Sequence, residues 1–370
     1  MRISVEDIKR RKAFSDNRQY GIQNYDTDNS YPQNIIDIVN NSGIAKACIS
    51  TFSNYVYGSG LNKEVIVNRK GQDINDVYMS HCQDYARFYG FAMHFNYNLL
   101  GDIVEINYIP FEYCRLTLND DTEYYGKVAV YRDWNRQKKR SIRKADVDYI
   151  DVFNSDPEIV KYQMELAGGI SKYKGQVLYV SNNNNQYPLA PIDPVIEDAE
   201  TIGEIKVFKY KNVTSGFMAN TIFVHKGKFE NERQRMDFRN TLKQFQGANG
   251  SKFMMVDVDN DEQVPEIKEI STPNNDKIFE LTERTVKENI IQNFKQPPLL
   301  LGVYQAGKLG ATSELKEAQD YYNYMTEQDR HFMMSWYNVV TMRFVKPFEV
   351  DVFKIKPFEI DTSNGEPSNI

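Results

Sequence analysis

Phe294-Lys295-Gln296-Pro297-Pro298-Leu299-Leu300-Leu301-Gly302, followed by Val303-Tyr304-Gln305-Ala306-Gly307-Lys308-Leu309-Gly310, is the stretch that organises the chain. Ile290, Ile291 and Phe294 close an amphipathic helix. Pro297 and Pro298 carry no backbone donor and push the preceding residue out of the helical region, which predicts a kink and a helix end near Gln296. Gly302, Gly307 and Gly310 then tolerate dihedrals that other residues avoid. Thr312 or Ser313 can cap a following helix, with Glu314 and Glu317 near its positive end. The pattern predicts a loop slung between two rigid rods.

Upstream, residues 1–33 are polar and turn-rich, and read as an extended arm that contributes little core. Ile35, Ile38, Val39, Ala45, Ile49, Phe52 and Val56 recur at helical spacing with an interruption at Ser42-Gly43, as one bent or two short helices. Val65–Val67 with Gly71 reads as a short hairpin, and 75–89 as a helix. Alternation then takes over: 91–98, 103–109, 115–118, 126–131, 147–153 and 176–181 read as strands, giving a mixed sheet beside N-terminal helices. Asn182–Asn185 reads as linker.

From Pro194, the positions Val195, Ala199, Ile202, Ile205 and Phe208 mark a long helix ending before Gly216. Strand Thr221–Val224, helix Glu232–Gln246 and strand Phe253–Val258 form a small β-α-β insert, and Asp276–Phe294 is a returning helix. A further helix is expected from Thr312 to about Phe344. The repeated Lys346-Pro347-Phe348-Glu349-Val350-Asp351 and Lys356-Pro357-Phe358-Glu359-Ile360-Asp361 reads as two edge strands with Pro near their starts.

Composition narrows the functional classes. The chain has 370 residues, 41% hydrophobic and 26% charged, enough for a sizeable core and more than one module. A formal charge of -6 argues against wrapping nucleic acid on a basic surface, since that requires Lys and Arg to displace counterions. Cys48, Cys82 and Cys114 are too widely spaced for a disulfide framework or a Cys-x-x-Cys metal site, which fits a reducing cytoplasm. Met1–Lys12 is charged throughout and lacks the apolar core of a signal peptide. No apolar run approaches the roughly 20 residues that span a bilayer, so no membrane role is expected. The 25 Tyr and 21 Phe suit extensive subunit interfaces, because Tyr offers broad contact area with a polar tip.

The order of these elements resembles the portal proteins of tailed bacteriophages. The motifs that carry the likeness are Pro-Pro-x-Leu-x-Gly at Pro297–Gly302 and the Pro-rich Tyr187–Pro194. Between these two, the resemblance includes the long helix through Glu204–Asn212 and the exit at Gly216; it covers roughly residues 35 to 345. It implies an α+β portal fold: arm 1–33, mixed α/β wing 34–190, first stem helix 191–220, β-α-β clip 221–272, second stem helix 273–301, tunnel loop 302–312, and a spine helix with C-terminal strands over 313–370. A helical crown would be reduced or absent. The resemblance further implies a homo-oligomeric ring, dodecameric in the family form, in a virion assembled in the host cytoplasm. The implied partners are the terminase packaging motor, a head-tail adaptor, the major capsid or scaffold protein, and double-stranded DNA in the channel. No catalytic residue and no cofactor are expected.

On that reading Gln305, Gly307, Lys308 and Gly310 face DNA, the glycines permitting motion while Lys308 and Gln305 meet phosphates without reading bases. The same residues nearly match the phosphate-binding loop Gly-x-x-x-x-Gly-Lys-Ser/Thr. Leu309 stands where a hydroxyl must hold Mg²⁺, but a strand-like Leu299–Leu301 before the loop and a helix after it keep a nucleotide-binding enzyme as an alternative. A non-portal virion adaptor or scaffold is the other. Asp257-x-Asp259-x-Asp261 begins like a calcium loop, but Glu262 and Lys268 occupy the positions that need Gly and Glu, so an acidic turn is expected. His81, His94, His225 and His331 show no metal-ligand spacing, and no distant His activates Cys82 as a nucleophile. The basic run Arg132, Arg136, Lys138, Lys139, Arg140, Arg143 and Lys144 around Trp134 reads as a solvated hairpin loop with the capacity to touch capsid or nucleic acid.

Overall fold

The computed structural model describes residues 14–134, 142–182, 187–215, 221–224, 266–269, 275–302 and 312–356, with isolated helical positions between 232 and 240. The chain divides into two compact units, one of Met1–Ile196 with Ile290–Ile370, the other of Glu197–Asn289.

In the first unit β1 (Asp16–Asn17) and β2 (Ile22–Gln23) form a small antiparallel hairpin. This stretch is core, contrary to the expected arm: Tyr20, Ile22 and Tyr25 are buried. The reason is the two-sided chemistry of Tyr. The Tyr25 ring stacks on Tyr187 and Tyr31 at 4.2 and 5.0 Å while its hydroxyl donates to the Pro188 carbonyl.

Helices α1 (Tyr31–Asn41) and α2 (Gly43–Tyr57) are separate because Ser42 between them is extended and its hydroxyl accepts from the Ala45 amide, an N-cap. The expected hairpin near Gly71 is a bridged turn, Ile66 opposite Asp73. Helix α3 (Ile74–Phe88) starts in a reciprocal capping box of Asp73 and Asp76 and ends with Tyr89 left-handed, φ 56°.

The strands that follow are β3 (Gly90–Tyr97), β4 (Ile103–Ile109), β5 (Cys114–Leu116), β6 (Lys127–Val130) and β7 (Asp148–Val152), then helix α4 (Pro157–Leu166) and β8 (Gln176–Ser181). They make one six-stranded sheet in the order β4-β3-β8-β7-β6-β5. All neighbours are antiparallel except β7 and β8. A parallel pair needs a crossover, and α4, unforeseen in the sequence reading, supplies it. Asp156 caps it, with Pro157 at its first turn.

The second unit holds most of α5 (Ile196–Ser215), the antiparallel pair β9 (Thr221–Val224) and β10 (Glu266–Glu269), and α6 (Asn275–Asn293) as far as Asn289. Within it α5 and α6 run antiparallel. Asp198 meets Asn289 at 3.3 Å, the Phe208 and Phe279 rings lie 4.8 Å apart, and Lys209 pairs with Glu283. The strand beside β9 is Glu266–Glu269; the expected Phe253–Val258 strand and most of the expected 232–246 helix lie outside the described residues.

Back in the first unit, the expected single helix from Thr312 is two, α7 (Thr312–Met325) and α8 (Glu327–Thr341). Arg330 breaks them. Its guanidinium, buried, donates to the Asn323 carbonyl, to Thr326 Oγ1 at 2.7 Å and to the Tyr55 carbonyl at 2.8 Å, drawing off backbone groups that a continuous helix would use. Beyond α8, the first of the two expected edge strands is a strap instead. Asn338 clamps both backbone groups of Val350, Asn323 donates to the Ile355 carbonyl at 2.9 Å, and Val352 bridges Leu61. The second repeat lies outside the described residues from Pro357 on.

Candidate functional site: the frame of the 302–312 loop

The end of α6 fixes how the chain approaches this loop. Lys295 is left-handed at φ 52°, and Pro297 and Pro298 lead into a short 3₁₀ turn over Pro298–Leu301 that Gly302 ends at φ 71°. Leu299–Leu301 is therefore not the strand that a phosphate-binding loop requires in front of it. That removes one of the two supports for nucleotide binding.

Gln296, 4% exposed, is the anchor. Its amide donates to the Cys48 carbonyl on α2 at 2.6 Å and to the Tyr322 hydroxyl on α7 at 2.8 Å. Tyr322 in turn donates to the Phe294 carbonyl at 3.3 Å and meets Tyr55 edge-on at 4.8 Å. Burial holds the Tyr322 phenol neutral, well above the usual phenol range. The segment entering the loop and the helix leaving it are thus tied at one point. Gln305, Gly307, Lys308 and Gly310, expected to face DNA, lie outside the described residues.

The second expected contact region, Arg136, Lys138, Lys139 and Arg140, also lies outside them, but its two roots do not. Trp134 and Ile142 are buried in one cluster with Tyr20, Ile22, Ala129 and Val147. The Tyr20 hydroxyl accepts from the Ile142 amide at 3.0 Å and donates to its carbonyl at 3.1 Å; Trp134 Nε1 donates to the Tyr113 carbonyl at 2.9 Å. Of the flanking cations, Arg143 pairs with Asp146 and Lys144 with Glu123.

Arg115 went unnoticed in the sequence and is fully buried. It donates to Asn29 Oδ1, to the carbonyls of Asn29, Glu112 and Cys114 at 2.8–2.9 Å, and lies between the Tyr25 and Trp134 rings. Carbonyl oxygens and ring faces take the place of a carboxylate partner. The signal that could have found it is the Asn24–Pro32 tract, where Asn29 takes a positive φ and turns its side-chain and backbone oxygens to Arg115.

His81 and His94 serve structure, whereas His331 is exposed and His225 lies outside the described residues. His81 is buried and neutral, between the Tyr337 hydroxyl at 2.6 Å and the Ala92 carbonyl at 3.1 Å, and burial lowers its pKa to about 3. His94 meets the Lys174 carbonyl at 2.7 Å. All three cysteines are free and buried, and burial pushes the Cys48 thiol up to about 12, away from nucleophilic use. Among the described residues no group of three or more His, Cys, Asp or Glu is placed to hold a metal ion, and no helix is long and apolar enough to cross a membrane. The acidic turn at Asp257–Glu262 lies outside the described residues.

No sequence-family model matches the chain, and no curated protein matches it by sequence. Solved structures do match. A chain in the virion of a native gene transfer agent particle is 10% identical with a TM-score of 0.52, over 86% of this chain and 83% of that one. A chain in the neck of the empty particle, computed with C6 symmetry, gives 10% and 0.52 over 90% and 86%. An HK97-family phage portal protein from Corynebacterium diphtheriae gives 10% and 0.43 over 85% and 95%. At such identities a likeness is one of fold. The resemblance read from the sequence holds at the level of fold: the chain shares its fold with the gene transfer agent virion and neck chains over most of both lengths.

Proposed function

We propose that this chain is a portal protein, assembling as a ring at one vertex of a virion through which double-stranded DNA passes during packaging and ejection. The observation that carries the reading is the shared fold with a chain of a virion neck over most of both lengths. The antiparallel pair α5 and α6, bracketing the strand pair β9–β10, fits a stem and a clip, with 34–190 as the wing. The tied frame at Gln296 and Tyr322 fits a loop at 302–312 whose Lys308 and Gln305 meet passing phosphates. A net acidic chain suits a channel in which DNA slides without sticking.

The clip would meet the terminase motor and later the head-tail adaptor, and the wing with its basic loop would meet the capsid or scaffold protein. ATP hydrolysis is left to the motor. Electron microscopy of the purified chain, with its solution mass, tests the reading. Twelvefold rings with a central channel support it, whereas a compact closed oligomer without a hole sinks it in favour of an adaptor or enzyme.

A further inference from the structure

The motif Lys346-Pro347-Phe348-Glu349-Val350-Asp351 recurs ten positions later as Lys356-Pro357-Phe358-Glu359-Ile360-Asp361. The first copy lies in a groove between α8 and the Gly58–Asn62 turn. Val350, 3% exposed, is its buried side chain, and Asn338 on α8 accepts from the Val350 amide at 2.9 Å and donates to its carbonyl at 3.0 Å. The Phe348 amide donates to the Thr341 carbonyl at 3.3 Å, and its ring meets Phe344 edge-on at 5.8 Å. The Asp351 amide donates to Asn62 Oδ1 at 3.0 Å, and its carbonyl accepts from the Asn62 amide at 2.9 Å. Its carboxylate accepts from the Val352 amide at 2.8 Å. Side-chain amides that read the backbone on either side of one apolar pocket make a peptide-binding groove, here filled by the chain's own segment.

The second copy carries what this groove reads. Phe358 and Asp361 repeat Phe348 and Asp351, and Ile360 keeps a β-branched apolar side chain where Val350 is buried. The match extends past the motif in chemistry rather than identity. Val352, which bridges Leu61, corresponds to the β-branched Thr362. Phe353 and Lys354 correspond to Ser363 and Asn364, but both side chains are exposed and the groove holds these positions by their backbones. The Phe353 amide donates to the Gly60 carbonyl at 2.9 Å, its carbonyl accepts from the Ser59 amide at 2.7 Å, and the Ser59 hydroxyl donates to the Lys354 carbonyl at 3.1 Å. The ion pair of Lys354 with Glu327 has no counterpart in Asn364, and an exposed pair of that kind contributes little.

We infer that the groove lined by Asn338, Asn62 and the Gly58–Leu61 backbone is a binding site with two ligands in this chain, Phe348–Asp351 and, in its place, Phe358–Asp361. Seating the second ligand loops out residues 346–355 and draws the C-terminal residues back by ten positions, about 33 Å of extended chain. Closing a ten-residue loop costs about 30-fold in population. The extra methylene of Ile360 recovers at most about 4-fold. The register with Val350 seated is therefore the major one, and the second is a minor state that a ligand for the released 346–355 segment would draw out. The device sets how far the C-terminal residues reach without letting go of α8, and it does not depend on ring assembly.

Amide hydrogen exchange on the full chain tests it, because the Ser59 and Asn62 amides belong to the groove and report either ligand. Val350→Asp ejects the first ligand. The two amides are expected to stay protected to within about tenfold of the wild type, since the second ligand takes over at the cost of the loop. Val350→Asp with Ile360→Asp is expected to lose that protection, and Ile360→Asp alone to change nothing. Far-UV circular dichroism reports that each variant folds. Should Val350→Asp fail to fold, deleting residues 346–355 joins Val345 to Lys356 and seats the second ligand with no loop: wild-type protection is expected, and loss of it once Ile360→Asp is added. The inference is overturned if Val350→Asp, or the deletion, exposes the two amides as fully as the same variant carrying Ile360→Asp. It is equally overturned if they stay protected in the double variant. Protection in Val350→Asp that vanishes on dilution assigns the segment to a neighbouring copy and overturns the exchange within one chain.

Discussion

The Gln296 side-chain amide donates to the Tyr322 hydroxyl at 2.8 Å and to the Cys48 carbonyl at 2.6 Å, so α2, α7 and the segment after Asn293 meet at one buried hydrogen-bonding group. Replacing Gln296 with Leu removes both of these bonds from the interior. The expected cost is about 1–3 kcal/mol, read as a lower urea midpoint at unchanged slope. Tyr322→Phe, which keeps the ring against Tyr55, is expected to cost less, about 1 kcal/mol. Equal stability of Gln296→Leu and wild type would remove the tie from the account of the loop.

Arg330 separates α7 from α8 and serves the carbonyls of Tyr55 and Asn323. Arg330→Lys is not conservative here, because one ammonium cannot reproduce the fork that meets both carbonyls and Thr326. A loss of about 2–4 kcal/mol is expected for Arg330→Met, which takes the charged donor from both carbonyls and leaves Asn323 only the Thr326 hydroxyl. If Arg330→Met unfolds at the wild-type midpoint, the break has another cause.

How far the sequence disclosed this architecture depends on the kind of signal involved. The break at Ser42 and the sheet strands were legible because both are local: a capping hydroxyl, and a period of two. The α7–α8 break was not, because its cause is a cation that reaches back to Tyr55, 275 positions earlier in the chain. The N-terminal tract failed for a related reason. Its Asn29 faces inward to Arg115, which no composition window can show. Helix α4 was missed although Asp156-Pro157-Glu158 is a start signal, since its apolar residues lie on two faces and blur the period. At the candidate site, Pro297 and Pro298 could be read locally, whereas Gln296 looked like any polar residue at a helix end.

His81 and Asp84 stand one turn apart on α3, and burial moves their pKa values in opposite directions, to about 3 and about 7. The nearby Glu112 carboxylate also raises Asp84, against hydrogen bonds from the Phe111 amide and Tyr108 and the charge of Arg87. For His81 the unfolded chain binds the extra proton between pH 3 and 6.5, so its contribution to stability is lost as pH falls through that window. For Asp84 the folded chain holds the extra proton between about pH 4 and 7, so its contribution is lost as pH rises. The two slopes, each at most about 1.4 kcal/mol per pH unit, oppose one another. Asp84→Asn is therefore expected to make stability rise more steeply from pH 4 to 6.5, and His81→Gln to make it fall. Urea titrations at successive pH values check both; parallel profiles for the two variants would contradict the assignment.

Gly58 ends α2 at φ 65°, and a Cβ there would collide with the Phe353 carbonyl that receives the Ser59 amide. Gly58→Ala therefore forces the strap off the Ser59–Asn62 segment. Faster amide exchange at Ser59, Asn62 and Phe353 is expected, with a stability loss above about 1 kcal/mol. Unchanged exchange at those three amides would show that the strap adapts.

Neutralising Arg136, Lys138, Lys139 and Arg140 together separates the loop's contacts from its roots. Trp134 and Ile142 are held by buried rings and by the Tyr20 hydroxyl. Changing the four cations to Gln is therefore expected to move stability by no more than about 0.5 kcal/mol. Tyr20→Phe, which strips both backbone bonds from Ile142, is expected to cost about 1–2 kcal/mol. If the basic loop meets capsid protein or nucleic acid, the quadruple variant loses co-assembly with capsid protein at unchanged stability, and the loss mimics the effect of added salt on the wild type, since exposed charge pairing is screened. Tyr20→Phe would weaken co-assembly only through the fraction unfolded. A quadruple variant that co-assembles normally at low salt assigns the run to solvent alone.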